Sequence, residues 1–176
     1  MSQAHTGYAR PTVSADGLKH GRPMQIRTAD PQDAAAACAM VRRSIIELCV
    51  ADHADDPAIL AAWLANKTPA DVEAWIANPD NFILLATEGE IILGVGAVTR
   101  QGEIILNYVS PDARFRGISK ALLRELEAKA AALGNGVCTL TSTLTARAFY
   151  VSGGYRADES TAVQSRTGMR MTKMLR

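Results

Sequence analysis

The spacing of apolar positions changes period twice along this chain, near residue 81 and again near residue 118. Between those points, 82–87, 91–99 and 103–109 are runs of Ile, Leu, Val and Ala separated by Glu88-Gly89 and Gln101-Gly102. That layout predicts an antiparallel meander leading into a buried strand, which Pro111 ends because it has no N–H for a ladder. Gly94 and Gly96, inside the second run, predict a bulge or close packing. Beyond 118, Ala121, Leu122, Leu123, Leu126, Ala130 and Leu133 recur at helical spacing, with Glu125, Glu127 and Lys129 on the opposite side. The pattern predicts an amphipathic helix stopped by Gly134 and followed by a β-rich run over 137–141.

Upstream of the meander the period is helical. Residues 24–27 read as a short first strand. Asp30 can then cap a helix with Pro31 at its first position, running through the alanine-rich stretch toward about Val50. Two tryptophan-bearing helical segments follow, 59–65 and 70–77, the second capped by Thr68 with Pro69 at its start. Residues 1–23 are rich in Gly, Ser, Thr, His and Pro without apolar periodicity, and read as a flexible leader ahead of one domain over 24–176.

The chemistry concentrates where the meander hands over to the long helix. From Tyr108 to Lys120 the chain reads Tyr-Val-Ser-Pro-Asp-Ala-Arg-Phe-Arg-Gly-Ile-Ser-Lys. A basic, glycine-bearing loop leading into a helix aims unpaired N–H groups and the positive end of the helix dipole at its neighbour, which suits an anion, phosphate above all. Taken alone, the same loop also reads as a plain crossover with Arg114 and Arg116 in solvent.

Arg114-x-x-Gly117-x-Ser119, preceded by Val109-x-Pro111, resembles the acetyl-CoA-binding motif of the GCN5-related N-acetyltransferases, with Ser119 where that motif has Gly or Ala. Ala146-x-x-Phe149-Tyr150-x-x-x-Gly154-Tyr155 resembles a second motif of the same family, in the same order and at a matching separation. The resemblance covers about 26–176. It implies an α/β fold: a single domain with a mixed central sheet of about seven strands, helices on both faces and a splayed strand pair holding acetyl-CoA. It also implies that backbone groups of Tyr108 and Val109 hold the pantetheine arm and polarise the thioester. N–H groups from Phe115 through Arg116, Gly117, Ile118 and Ser119 to Lys120, beside Arg114, would take the pyrophosphate. The family's frequent Asn three residues before Ala146 is Thr143 here.

By that motif position Tyr150 is the expected general acid. A phenol near pKa 10 stays protonated at neutral pH and can donate to a thiolate whose own pKa is near 8.5. Without the motif, Phe149 and Tyr150 would read as core aromatics of a helix. The acceptor amine must lose a proton, at a cost on the order of 4 to 5 kcal/mol for a lysine-like ammonium. Glu47 and His53 are the expected bases, with Asp52 and Glu103 as further candidates, because the segment after the first helix is where this fold places acceptor-site residues.

Composition narrows the function. Formal net charge is +1 over 176 residues with dispersed basic side chains, which gives no electrostatic case for nucleic acid or a membrane surface as partner. Three Cys at irregular spacing argue against a disulfide framework and for a cytoplasmic setting. Cys49 and His53 share a helix face, yet without further ligands they make no metal site, so no metal is expected. The expectation is acetyl transfer from acetyl-CoA to the primary amine of a small molecule by direct attack in a ternary complex. The alternatives are a protein N-terminal or lysine acetyltransferase and a catalytically silent acyl-CoA-binding regulatory module. The resemblance also allows a homodimer.

Overall fold

A computed structural model describes residues 23–157 and 168–175. The leader expected over 1–23 lies, apart from Pro23, outside the described residues. Seven strands form one mixed sheet in the order β1-β2-β3-β4-β5-β7-β6. They are β1 Gln25–Thr28, β2 Asn81–Glu88, β3 Ile91–Thr99, β4 Glu103–Val109, β5 Val137–Ser142, β6 Arg156–Ala157 and β7 Met169–Met174. Every neighbouring pair is antiparallel except β4 and β5, which run parallel and are joined by helix α5, Ile118–Ala132. β3 and β4 begin and end where the Gly and Pro punctuation places them.

The helical N-terminal half differs from its sequence reading at two points. Asp30 and Asp33 form a capping box around a 3-10 turn, Pro31–Asp33, from which α1 continues over Ala34–Leu48. The chain then breaks at Cys49 into a separate turn, α2 Val50–His53, ended by left-handed Ala54 and Asp55. Helix α3, Pro57–Leu64, starts earlier than expected because Asp56 accepts from the N–H groups of Ala58 and Ile59 with Pro57 at the first position. Helix α4, Pro69–Ala77, has the expected Thr68 cap, completed by Asp71 as a capping box.

Helices cover both faces of the sheet. On one side Val41 and Ile45 of α1 and Val72 of α4 pack with Leu85, Val95, Ala97 and Leu106. On the other, Ile118, Leu122 and Leu126 of α5 lie against β3 and β4, continuous with Tyr150 on α6, Arg147–Ser152, and with Tyr155. Each fully buried leucine of α5 contributes on the order of 1.5–3 kcal/mol of transfer free energy. The approach of α5 depends on Gly94, where an added Cβ would lie 2.9 Å from Ile118 Cγ2 and from Leu122 Cδ1. Gly94 also lies at the β2–β3 bulge, so both readings of this glycine hold.

Candidate active site

A bulge in β4 creates the site. Ala97 pairs with Leu106 and Val98 with Ile104, so Ile105 is an extra residue without a partner on β3. An extra residue reverses which face the following side chains address. Ile104 packs under α5, Leu106 and Tyr108 turn toward α1, and Asn107 points at α5, where its Nδ2 donates to the Ser119 carbonyl at 3.3 Å. Pairing with β5 stops at the same place: Glu103 faces Thr139, Ile104 faces Leu140, and the two strands diverge beyond.

The divergence leaves one edge of β4 open. Ser110 N–H donates to Leu93 O at 2.8 Å, and the register places Tyr108 opposite Val95. Successive N–H groups of an extended strand point to opposite edges. The backbone of Tyr108 is therefore committed to β3, and that of Asn107 and Val109 faces the gap. Of the two backbone positions expected to meet a ligand, the register turns Val109 to the gap and Tyr108 to β3, and both residues line the cavity.

Beyond β4, Ser110 Oγ accepts the Asp112 N–H, and Arg43 of α1 reaches Asp112 at 2.8 Å, fastening the loop to the helix layer. Phe115 and Gly117 adopt left-handed backbones, with φ of 61° and 77°. The first N–H of α5 to find a carbonyl four residues back is that of Ala121, on Gly117 O. The N–H groups of Ile118, Ser119 and Lys120 precede it with no partner among the described residues, and a Cβ on Gly117 would meet nothing within 4 Å. Such a run of free N–H groups is an anion nest. Arg114 and Lys120 stand at the cavity; Arg116 does not line it and pairs with Glu88 at 3.1 Å.

The gap between β4 and β5 opens into a cavity of ≈ 570 Å³ whose far wall carries Thr143, Thr145, Phe149 and Tyr150. Tyr150 is buried, edge-on to Phe149 and Tyr155, and burial pushes its phenol up to about 12 despite the nearby Asn107 amide. Burial likewise raises Tyr108, and it pushes the Cys49 thiol, also on the lining, up to about 11. Asn107 Oδ1 is buried without a hydrogen-bond partner among the described residues. Thr143 Oγ1 accepts the Ala146 N–H at 3.3 Å, so this residue, standing where the family has Asn, starts the turn into α6.

The two expected bases lie elsewhere. Glu47 is on the exposed side of α1, held by Arg43 at 2.9 Å. His53 is fully buried against Trp63, its Nδ1 accepting the Asp55 N–H at 3.1 Å. Neither lines the cavity: Glu47 stays on the solvent side of α1, and His53 lies in α2, beyond the break at Cys49. Asp52 acts as a tether. Its carboxylate accepts the N–H groups of Leu144 at 2.6 Å and Thr145 at 3.3 Å, latching α2 to the loop that carries Thr143 and leads to Tyr150. Glu103 does not reach the lining. Among the described residues no group of three or more His, Cys, Asp or Glu is placed to hold a metal ion, and no helix is long and apolar enough to cross a membrane.

An open strand edge thus runs into the N–H groups at the start of α5, within a seven-stranded α/β domain. Residues 49–176 match the model of the acetyltransferase (GNAT) domain, and the chain belongs to this family of N-acetyltransferases. Solved structures agree over nearly the whole chain. A GCN5-related N-acetyltransferase of Rhodopseudomonas palustris, also described as a class-II aminotransferase, is 26% identical with a TM-score of 0.76, covering 90% of this chain and 100% of that one. The PaiA N-acetyltransferase of Thermoplasma acidophilum, in complex with coenzyme A, is 18% identical with a TM-score of 0.74, covering 87% and 99%. A GNAT-family acetyltransferase of Brucella melitensis, in complex with acetyl-CoA, is 21% identical with a TM-score of 0.61, covering 88% and 90%. No curated protein matches the chain.

Proposed function

We propose that the chain takes its acetyl group from acetyl-CoA and delivers it to the primary amine of a small molecule, with both substrates bound at once. The observation that carries the donor half is the divergence of β4 from β5 after Ile104, which leaves an unpaired edge running down to the free N–H groups of Ile118, Ser119 and Lys120. The coenzyme A and acetyl-CoA in the Thermoplasma and Brucella relatives support the same reading.

The residues present fit that donor at both ends. An extended pantetheine arm carries amides that can pair with the Val109 and Asn107 backbone as an added strand would. A pyrophosphate suits the nest, with Arg114 and Lys120 beside it. Acetyl-CoA supplies an activated thioester, whose carbonyl gains negative charge under attack and whose sulfur must leave. Val109 N–H is the donor for that oxygen, at a fixed strand edge that needs no reorganisation. Tyr150 O–H is the donor for the sulfur. Burial raises its phenol to about 12, so Tyr150 stays protonated at neutral pH and is available to donate to the departing sulfur. The proton given up by the amine goes to water, since neither Glu47 nor His53 lines the cavity.

A small acceptor is supported by how the far wall is built. Ser44, Leu48 and Cys49 line the cavity from the α1 side, and the Asp52 latch ties α2 across to Leu144 and Thr145. The test is acetyl-CoA-dependent thiol release with a panel of small primary amines and, in parallel, peptides with free N-termini or lysines. Turnover with peptides alone would replace the acceptor half of the proposal, and failure to bind acetyl-CoA would remove the donor half.

A further inference from the structure

We propose that the Phe115 side chain is a stacking platform for the adenine of the donor, an inference that rests on the acetyl-CoA reading above. Phe115 is 94% exposed, at the edge of the cavity and two residues before the Gly117 that opens α5. Its φ of 61° is a backbone that a bulky side chain rarely adopts. The two features are independent, and both are unfavourable for folding: the ring buries almost no surface, and glycine would sit at this φ without strain. The Arg114 guanidinium carbon lies 4.7 Å from the ring centroid, and the ring stays open to solvent.

That arrangement matches the chemistry of a nucleotide donor. A nucleotide whose pyrophosphate took the N–H groups of Ile118 to Lys120 would find in Phe115, three residues ahead of the first of them on the same loop, an exposed aromatic ring with Arg114 beside it. Base–aromatic stacking needs only an accessible π-face, which an exposed phenylalanine supplies. The half of the donor that reacts does not need Phe115 at all. Recognition of the nucleotide is therefore separable from recognition of the pantetheine arm.

Acetyl-pantetheine, which lacks the nucleotide, makes the test. Dissociation constants for acetyl-CoA and acetyl-pantetheine are measured by calorimetry for the wild-type chain and for Phe115→Ala, Phe115→Trp and Phe115→Gly. Phe115→Ala is expected to weaken acetyl-CoA roughly 5- to 100-fold, the scale of one lost base–aromatic stack, with acetyl-pantetheine unchanged and Phe115→Trp retaining acetyl-CoA affinity. Phe115→Gly is expected to raise the apo melting temperature while weakening acetyl-CoA like Ala. Equal loss for both donors, or no loss for either, overturns the proposal, the first by showing that Phe115 only shapes the loop. A wild-type chain that binds acetyl-pantetheine but gains nothing from the nucleotide also overturns it, leaving the acetyl-donor reading intact. A wild-type chain that binds neither donor overturns both.

Discussion

The Asp52 carboxylate accepts the Leu144 N–H at 2.6 Å, across 92 positions of sequence, and so joins the short helix after α1 to the loop that leads into α6. The pair is charge-assisted and partly screened, and it fixes the segment from which Thr143, Thr145 and Tyr150 enter the cavity. Asp52→Asn keeps the shape and removes the charge. Loss of about 1–2 kcal/mol is expected, which for a chain of this size lowers the melting temperature by roughly 2–8 °C. Acceptor KM should rise while acetyl-CoA affinity holds. Calorimetry and steady-state kinetics check both, and an unchanged acceptor KM would confine the latch to stability.

Gly117 sits at a φ of 77° with nothing near its missing Cβ. Gly117→Ala adds only the left-handed strain, about 1–2 kcal/mol, and should lower the apo melting temperature without abolishing binding. Gly117→Glu adds a bulky negative charge beside the free N–H groups and should remove the thermal stabilisation by acetyl-CoA altogether. Normal binding by the Glu variant would place the phosphate site elsewhere.

Tyr150→Phe keeps the edge-on ring contacts with Phe149 and Tyr155 and deletes one hydroxyl. Turnover should fall roughly 10- to 1000-fold with little change in acetyl-CoA affinity. Thioesters with a more acidic thiol should suffer less. An equal defect across leaving groups would make Tyr150 a residue that positions the donor. Because burial holds the phenol up to about 12, its ionisation should leave no inflection in the wild-type rate profile below about pH 11.

Burial raises Cys49 and Cys138 to about 11, and Tyr150 to about 12. In the unfolded chain these groups titrate near 8.5 and 10. The folded pKa values lie above the unfolded ones, so their contribution to stability is complete below about pH 8.5 and is lost progressively as pH rises toward 11 and 12. Thermal melts should be flat between about pH 7 and 8 and fall by several °C by about pH 10. A melting temperature that rises over that interval would contradict the burial of these groups.

Much of the fold was legible because the chain marks its own boundaries. Glycine turns and Pro111 delimit β3 and β4 at the expected residues, and the Arg114–Ser119 and Ala146–Tyr155 patterns locate the loop and α6. The bulge was not legible. Ile104, Ile105 and Leu106 are equally apolar, so nothing in their side chains shows that one is extra, and the facing of Asn107 and Tyr108 follows from that residue. The break at Cys49 was hidden because no Gly or Pro interrupts 34–54, and it separates His53 from α1, while Glu47 stays on the solvent side of α1 beside Arg43. Asp56-Pro57 repeats the capping signal of Asp30-Pro31 and could have fixed the start of α3. The Asp52 latch depends on a contact too distant in sequence for local pattern to show.

If the open edge of β4 presents acetyl-CoA to a small amine, the transfer itself can be observed. The purified chain is incubated with acetyl-CoA and a panel of small primary amines, thiol release is followed, and the acetylated amine is identified by mass spectrometry. The expected result is amine-dependent thiol release matched by one acetyl group on the amine, with both reduced in Tyr150→Phe. A folded chain that binds acetyl-CoA yet acetylates none of the amines, while acetylating a peptide, would contradict the assigned acceptor. A folded chain that shows neither binding nor release would contradict the site itself.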